Sequence, residues 1–214
     1  MFHKYNNLFA VLLYVCLSPL ALAHETPNNA NDISPILIGQ KIPALVLKDP
    51  QGKDFDLLKN LQKKPSLLVF YCGGWCPYCN THLQDLRKIE KTLLDKGFQI
   101  LAISPDLPEH LAATDKQHKL GYQLLSDSKM EAAKALGLAF KVDNKTLDLY
   151  KTYNIDLEKS SSEKHHLLPV PAALLVNTEG EVTFTFISPN YKIRVANELI
   201  LTAADLQLKT VTKE

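Results

Sequence analysis

Apolar and polar positions fall into blocks along this 214-residue chain, and each block carries the period of one kind of element. Residues 66–71 (S-L-L-V-F-Y) form a continuous apolar run, the pattern of a strand covered on both faces. Residues 77–96 then place Leu83, Leu86, Ile89 and Leu93 at three- and four-residue steps. That spacing predicts a helix with one buried stripe, and Gly97 can end it. Residues 99–103 predict the next strand, 107–119 a weaker helix and 122–125 a short strand. Ser128 and Glu131 stand at capping-box spacing before a helix that ends near Gly137. Residues 44–48 read as a short strand followed by a turn at Gln51-Gly52. Toward the end, 172–176 and 182–187 predict two strands joined through Thr178-Glu179-Gly180, and 194–206 an amphipathic helix. The polar, charged stretch around 143–166 predicts an exposed insertion. The order predicts an α/β domain over residues 41–214, with a mixed central sheet flanked by helices.

The first residues break this pattern. Residues 8–22 are apolar apart from Ser18 and Pro19, and Ala21-Leu22-Ala23 has the form of a signal-peptidase site. The run is short against the ~20 residues of a membrane span. We therefore expect a secretory signal over residues 1–23, export to the periplasm, and no stable membrane anchor after cleavage; the alternative is an uncleaved anchor. Residues 24–40 are polar and rich in Asn at their start, and are expected to form a flexible lead-in. The formal net charge is +1, with both signs interspersed, so nothing in the charge calls for a nucleic-acid partner.

Cysteine placement changes the picture more than composition does. Cys16 lies in the apolar run and is expected to leave with the signal. The other three, Cys72, Cys76 and Cys79, crowd into eight residues. A disulfide-stapled exported fold spreads its cysteines, so clustering points to chemistry.

The segment Phe70-Tyr71-Cys72-Gly73-Gly74-Trp75-Cys76-Pro77-Tyr78-Cys79 passes from the buried strand into the helix. Cys76 then occupies the N-cap and Pro77 the first helical position, where a missing N–H costs nothing. Free N–H groups and the positive end of the helix dipole favour a thiolate at Cys76. In such motifs the thiol pKa falls to about 3.5–7.5. The two-residue spacing lets Cys79 form a reversible Cys76–Cys79 disulfide. A competing reading takes Cys76, Cys79 and His82 as metal ligands, although zinc normally requires four. Cys72 is either a third redox thiol or a small buried hydrophobe, and strand alternation turns it to the face of Phe70.

These residues resemble the AhpC/TSA peroxiredoxin-like family, in particular a thioredoxin-fold subgroup reading Y-R-G-x-W-C-P-Y-C-N. Ala102-Ile103-Ser104-Pro105-Asp106, Leu124-Leu125-Ser126-Asp127, Leu168-Pro169-Val170-Pro171-Ala172 and Tyr191-Lys192-x-Arg194 extend the resemblance over nearly the whole chain after residue 23. It implies a thioredoxin-like fold with Cys76 and Cys79 as the redox pair, supported by Trp75 and Pro77. It also implies that Pro171 is a cis-proline facing the pair. Arg194 is either the arginine that approaches the thiolate or an exposed helix-start residue. The implied activity is a thiol oxidoreductase, without cofactor or metal, reducing a peroxide or an oxidised protein thiol and recharged by an external thiol reductant. Two departures weaken the peroxidase case. In the register of ordinary peroxiredoxins Cys79 falls at the peroxide-attacking cysteine, Cys76 at the Thr/Ser that orients peroxide and Cys72 at a proline. Cys72 also replaces the subgroup's arginine. The alternatives are a TlpA-like disulfide reductase without peroxidase activity, and a metal- or haem-handling module on the same fold.

Overall fold

The computed structural model describes residues 25–211, and the expected signal lies outside them. Its centre is a seven-stranded mixed sheet in the order β2-β1-β5-β4-β3-β8-β9. The strands are β1 (Val46–Lys48), β2 (Asp54–Asp56), β3 (Ser66–Phe70), β4 (Gln99–Ser104), β5 (Gln123–Ser126), β8 (Ala172–Val176) and β9 (Val182–Ile187). A separate two-stranded ribbon pairs β6 (Ala139–Lys141) with β7 (Leu167–Pro169). The helices are α1 (Leu57–Leu61), α2 (Pro77–Asp95), α3 (Pro108–His118), α4 (Glu131–Ala135), α5 (Asn144–Thr152), α6 (Leu157–Ser161) and α7 (Asn197–Val211).

β3, β4 and β5 run parallel, and β8 joins β3 antiparallel with Leu68 opposite Leu174. All five residues of β3 are buried, as a central strand covered on both faces requires. Its alternation feeds two cores. Leu67 and Val69 pack with Leu83, Leu86 and Leu93 of α2 and with Ile200 and Ala204 of α7. Leu68 and Phe70 face the other way, toward Leu57 and Leu61 of α1 and Ala132 and Ala133 of α4. The expected strands, the long helix after β3 and the β8–β9 hairpin are all present.

Four local expectations give way. Ser128 does not cap α4: the N-cap position falls on Met130, in the left-handed region at φ 58°, with no side-chain cap. The buried carboxylate of Asp127 accepts the N–H groups of Ala132 and Ala133 instead, at 3.0 and 2.8 Å. The stretch around 143–166 is not simply exposed; it folds into α5 and α6, whose Leu147, Tyr150, Ile155 and Leu157 pack on the first core. Residues 24–40 are held rather than flexible where described. Ile33 and Ile36 cover the second core, and the N–H groups of Ile36 and Gly39 donate to Leu136 and Val182. The last helix begins at Asn197, so Arg194 sits in the turn before it.

Candidate active site: a cysteine at a helix start

β3 ends at Phe70, and the Tyr71 N–H still reaches the Ile103 carbonyl at 3.1 Å. The chain leaves the sheet over Cys72-Gly73-Gly74-Trp75 and enters α2 with Cys76 as N-cap, in extended conformation, and Pro77 just inside. The Cys76 sulfur accepts the Cys79 N–H at 3.4 Å, doing the work of a serine or aspartate cap. The turn before it has no room for side chains. At Gly73 the φ is +148°, and a Cβ would lie 2.8 Å from Asp106 Oδ1; at Gly74 it would run into the Thr114 hydroxyl. The close approach fixes the loop: Gly74 N–H donates to Asp106 Oδ2 at 2.7 Å, and Asn80 Nδ2 donates to the Gly74 carbonyl at 2.8 Å.

Asp106 is buried, and burial pushes its carboxyl up to about 6 against the hydrogen bonds from Gly74 and Ser104. Asp106 and Thr114 thus position the cysteine loop from β4 and α3. The sequence signal is the Ser104-Pro105-Asp106 run at the end of β4, and only the parallel β3–β4 pairing shows what it does.

All three cysteines are free thiols and buried, but unequally placed. Cys76 is 5% exposed and Cys79 0%. Cys76 and Cys72 line a cavity of about 1000 Å³, and Cys79 is not on its wall. The Cys76 thiol is held well below its ordinary value, first by hydrogen bonds from the thiols of Cys72 and Cys79, then by the Cys79 N–H and the Arg194 charge, with burial opposing. Cys79 ends above its ordinary value: a hydrogen bond from Cys72 pulls it down, but Cys76 and burial outweigh it. Cys72 is pushed well up by its neighbours Cys76 and Cys79 and by burial. It packs with Tyr71 and Val69 in the first core, not with Phe70. Strict alternation fails there because the strand has already ended at Phe70.

Arg194 reaches this centre. Its Nη1 donates to the carbonyls of Tyr191 and Ile193 at 2.6 and 2.9 Å, and its Nη2 lies 3.4 Å from Cys79 Sγ. The contact is with Cys79, one sulfur removed from the N-cap. Trp75 stacks obliquely on Tyr150 of α5, with ring centroids 5.4 Å apart. Tyr78, Tyr150, Tyr153, Leu149, Leu168 and Tyr191 give the cavity an aromatic and aliphatic wall. Tyr150 was hidden in the polar stretch and carried no motif.

Pro171 lies on the same cavity, but the described residues contain no cis peptide bond, so it is not a cis-proline. The trans form is the default for X–Pro by about 0.5–1 kcal/mol. Here Pro171 leads into β8, and its carbonyl accepts the Ser188 N–H at 3.0 Å. The metal reading loses its third ligand. Among the described residues no three His, Cys, Asp or Glu side chains gather to hold a metal ion. His82 is buried, and burial followed by the Arg194 charge lowers its pKa to about 4.

The AhpC/TSA family matches residues 38–185. A putative peroxiredoxin of Haemophilus influenzae is 33% identical over 106 residues, covering 50% of this chain and 68% of that protein. The chloroplastic peroxiredoxin Q of Populus jackii is 30% identical over 118 residues, covering 55% and 54%. Among solved structures, reduced Prx3 from Vibrio vulnificus in complex with hydrogen peroxide superposes with a TM-score of 0.65 at 20% identity, covering 79% of this chain and 99% of that one. Peroxidoxin BcpB from Mycobacterium tuberculosis gives 0.61 at 18% identity, covering 79% and 96%. These structural likenesses establish the fold, and the match over residues 38–185 establishes the family. The chain belongs to the AhpC/TSA family and is a peroxiredoxin-like thiol oxidoreductase on a thioredoxin-like fold.

Proposed function

We propose that this protein is an exported thiol peroxidase in which Cys76 attacks and Cys79 resolves. The observation that carries it is the split between the two sulfurs: Cys76 caps α2 and lines the cavity, while Cys79 lies fully buried behind it. A thiolate is the attacking species, and Cys76 is the sulfur held in that form. The Cys76 thiolate attacks one peroxide oxygen, and the O–O bond breaks. The other peroxide oxygen leaves as hydroxide, and Cys76 becomes a sulfenic acid. Cys79, beside Arg194, then attacks that sulfur; the S–S bond forms, and the sulfenic oxygen takes the Cys79 proton and leaves as water. Two thiols of an external reductant return the pair to the dithiol and are themselves oxidised to a disulfide. The same dithiol can instead reduce an oxidised protein thiol through a mixed disulfide on Cys76.

The Arg194–Cys79 contact favours a second reading, in which Cys79 attacks peroxide and Cys76 resolves. Stopped-flow mixing of reduced protein with hydrogen peroxide separates the two. We expect Cys79→Ser to keep one fast turnover that leaves a sulfenic acid on Cys76, and Cys76→Ser to lose the fast phase. A fast phase retained in Cys76→Ser selects the second reading. If neither variant nor the parent consumes peroxide while all reduce a model disulfide only when Cys76 is present, the protein is a disulfide reductase. Export rests on the apolar run 8–22 and on Ala21-Leu22-Ala23. N-terminal sequencing of periplasmic material is expected to read from His24.

A further inference from the structure

Cleaving a peroxide takes more than a nucleophile. When a thiolate takes one oxygen, the electron pair of the O–O bond falls on the other, and negative charge builds there. A donor already aimed at that oxygen lowers the barrier. Arg194 does not line the cavity; its Nη groups go to Cys79 and to the carbonyls of Tyr191 and Ile193. The Trp75 N–H is buried against Gly73. Among the side-chain donors on the cavity wall, Thr146 spends its hydroxyl on Asp143 at 2.7 Å. Asn28, Asn29, Tyr78, Lys141, Tyr153 and Tyr191 are exposed. Tyr150 is half-buried on that wall, and its hydroxyl has no hydrogen-bond partner among the described residues. We propose that the Tyr150 hydroxyl is a catalytic residue: it donates a hydrogen bond to the oxygen that departs when Cys76 attacks a peroxide.

Its place in the fold fits the part. Asp143 caps α5 by accepting the Thr146 N–H at 2.9 Å, and the Tyr150 carbonyl takes the N–H groups of Tyr153 and Ile155, each at 2.9 Å. The Tyr150 side chain packs on the first core, and its ring centroid lies 5.4 Å from that of Trp75, the residue just before Cys76. The phenol and the Cys76 sulfur thus open on one cavity, with a single indole fixing the distance between their elements. The electrostatics agree with this placement. Burial, then the charges of Cys72, Cys76, Tyr191 and Cys79, push the phenol above its ordinary value. It keeps its proton where Cys76 has lost its own, so one group attacks while the other donates. In the step itself the S–O bond forms, the O–O bond breaks, and the second oxygen leaves as hydroxide held by the Tyr150 O–H. The phenol ends the step as it began, and solvent protons neutralise the hydroxide.

The inference rests on the proposal that Cys76 attacks peroxide, and the experiment tells the two apart. Full-length reduced protein, wild type and Tyr150→Phe, is mixed with hydrogen peroxide in a stopped-flow instrument. Phe keeps the ring against Trp75 and removes only the hydroxyl. The variant is expected to react about a hundredfold more slowly, the cost of one lost donor at a developing charge. Peracetic acid provides the contrast, because its departing group is acetate. Acetate carries its charge without help, so the loss with this oxidant is expected to stay within about threefold. Iodoacetamide, whose departing group is iodide, is expected to alkylate Cys76 equally fast in both proteins, as followed by mass on the Cys76 peptide. Equal hydrogen peroxide rates in the two proteins would overturn the inference. A loss of the same size with peracetic acid or iodoacetamide would also overturn it, since Tyr150 would then act on the thiolate or on access to it. A wild type that leaves hydrogen peroxide untouched would overturn the proposed function and this inference together.

Discussion

The parallel strands β3 and β5 each run into a helix start, and the two starts are capped by different chemistry. At α2 the acceptor is the Cys76 sulfur, receiving the Cys79 N–H. Near α4 it is the Asp127 carboxylate, receiving those of Ala132 and Ala133. Both residues are 5% exposed, yet they move in opposite directions. Cys76 is pulled down by hydrogen bonds from the thiols of Cys72 and Cys79, by the Cys79 N–H and by the Arg194 charge. Asp127 is pushed up to about 6, because burial outweighs three backbone N–H groups and the Glu131 charge adds to it. Equal exposure therefore does not set the charge state; the depth of burial and the nearby charge do, Arg194 beside Cys76 and Glu131 beside Asp127. The α2 start opens on a cavity, where the stabilised anion can meet a substrate.

The sharpest test of this contrast is Cys76→Ser, which should remove turnover altogether, whereas Asp127→Asn should leave the peroxide or disulfide reduction rate within about twofold; steady-state assays with a thiol reductant measure both. Next in size, Cys79→Ser should abolish repeated turnover but trap the reductant on Cys76 as a mixed disulfide, seen as an added mass on the Cys76 peptide. A mixed disulfide on Cys79 in the Cys76→Ser protein, formed at the same rate, would reverse the two roles.

The α4 start should respond through stability instead. Asp127 has a raised folded-state value, so its favourable contribution is complete below the unfolded carboxyl value and is lost as pH rises through about 6. Unfolding free energy should thus fall between pH 4 and 7, by about 3 kcal/mol from this carboxyl. Asp106, also raised to about 6, contributes with the same sign. Urea titrations across that range should show a flatter dependence in Asp127→Asn. At pH 7 Asp127→Ala should be less stable than the Asn variant by about 1 kcal/mol, the worth of a cap acceptor. The smallest effect is expected at Arg194. Arg194→Gln removes a charge 3.4 Å from Cys79 Sγ and should slow the resolving step, by about tenfold for each unit the Cys79 thiol rises. Rapid-quench detection of the sulfenic acid separates that step from the attack.

What the chain determined by itself is the part of the site written in consecutive residues. A buried run ending at Phe70, then Trp75-Cys76-Pro77-Tyr78-Cys79 at a helix start, places one cysteine on the cap and the other one turn in, because cap geometry depends only on the next few peptide groups. The strands, the long helix and the closing hairpin were legible for the same reason: hydrophobic period is a local property. Where several local donors or acceptors competed, position along the chain did not choose between them. Ser128 had the spacing for a cap, but the buried Asp127 took the α4 N–H groups. Residues 143–166 read as solvent-facing by composition, yet Leu147, Tyr150 and Ile155 are enough to fold them onto the core and wall the cavity. The rest was decided by tertiary structure alone. Arg194 meets Cys79 from 115 residues away, Asp106 receives Gly74 from the next parallel strand, and Cys72 turns to the α2 side once the strand has ended. Such contacts depend on strand order and register, which no window of sequence contains.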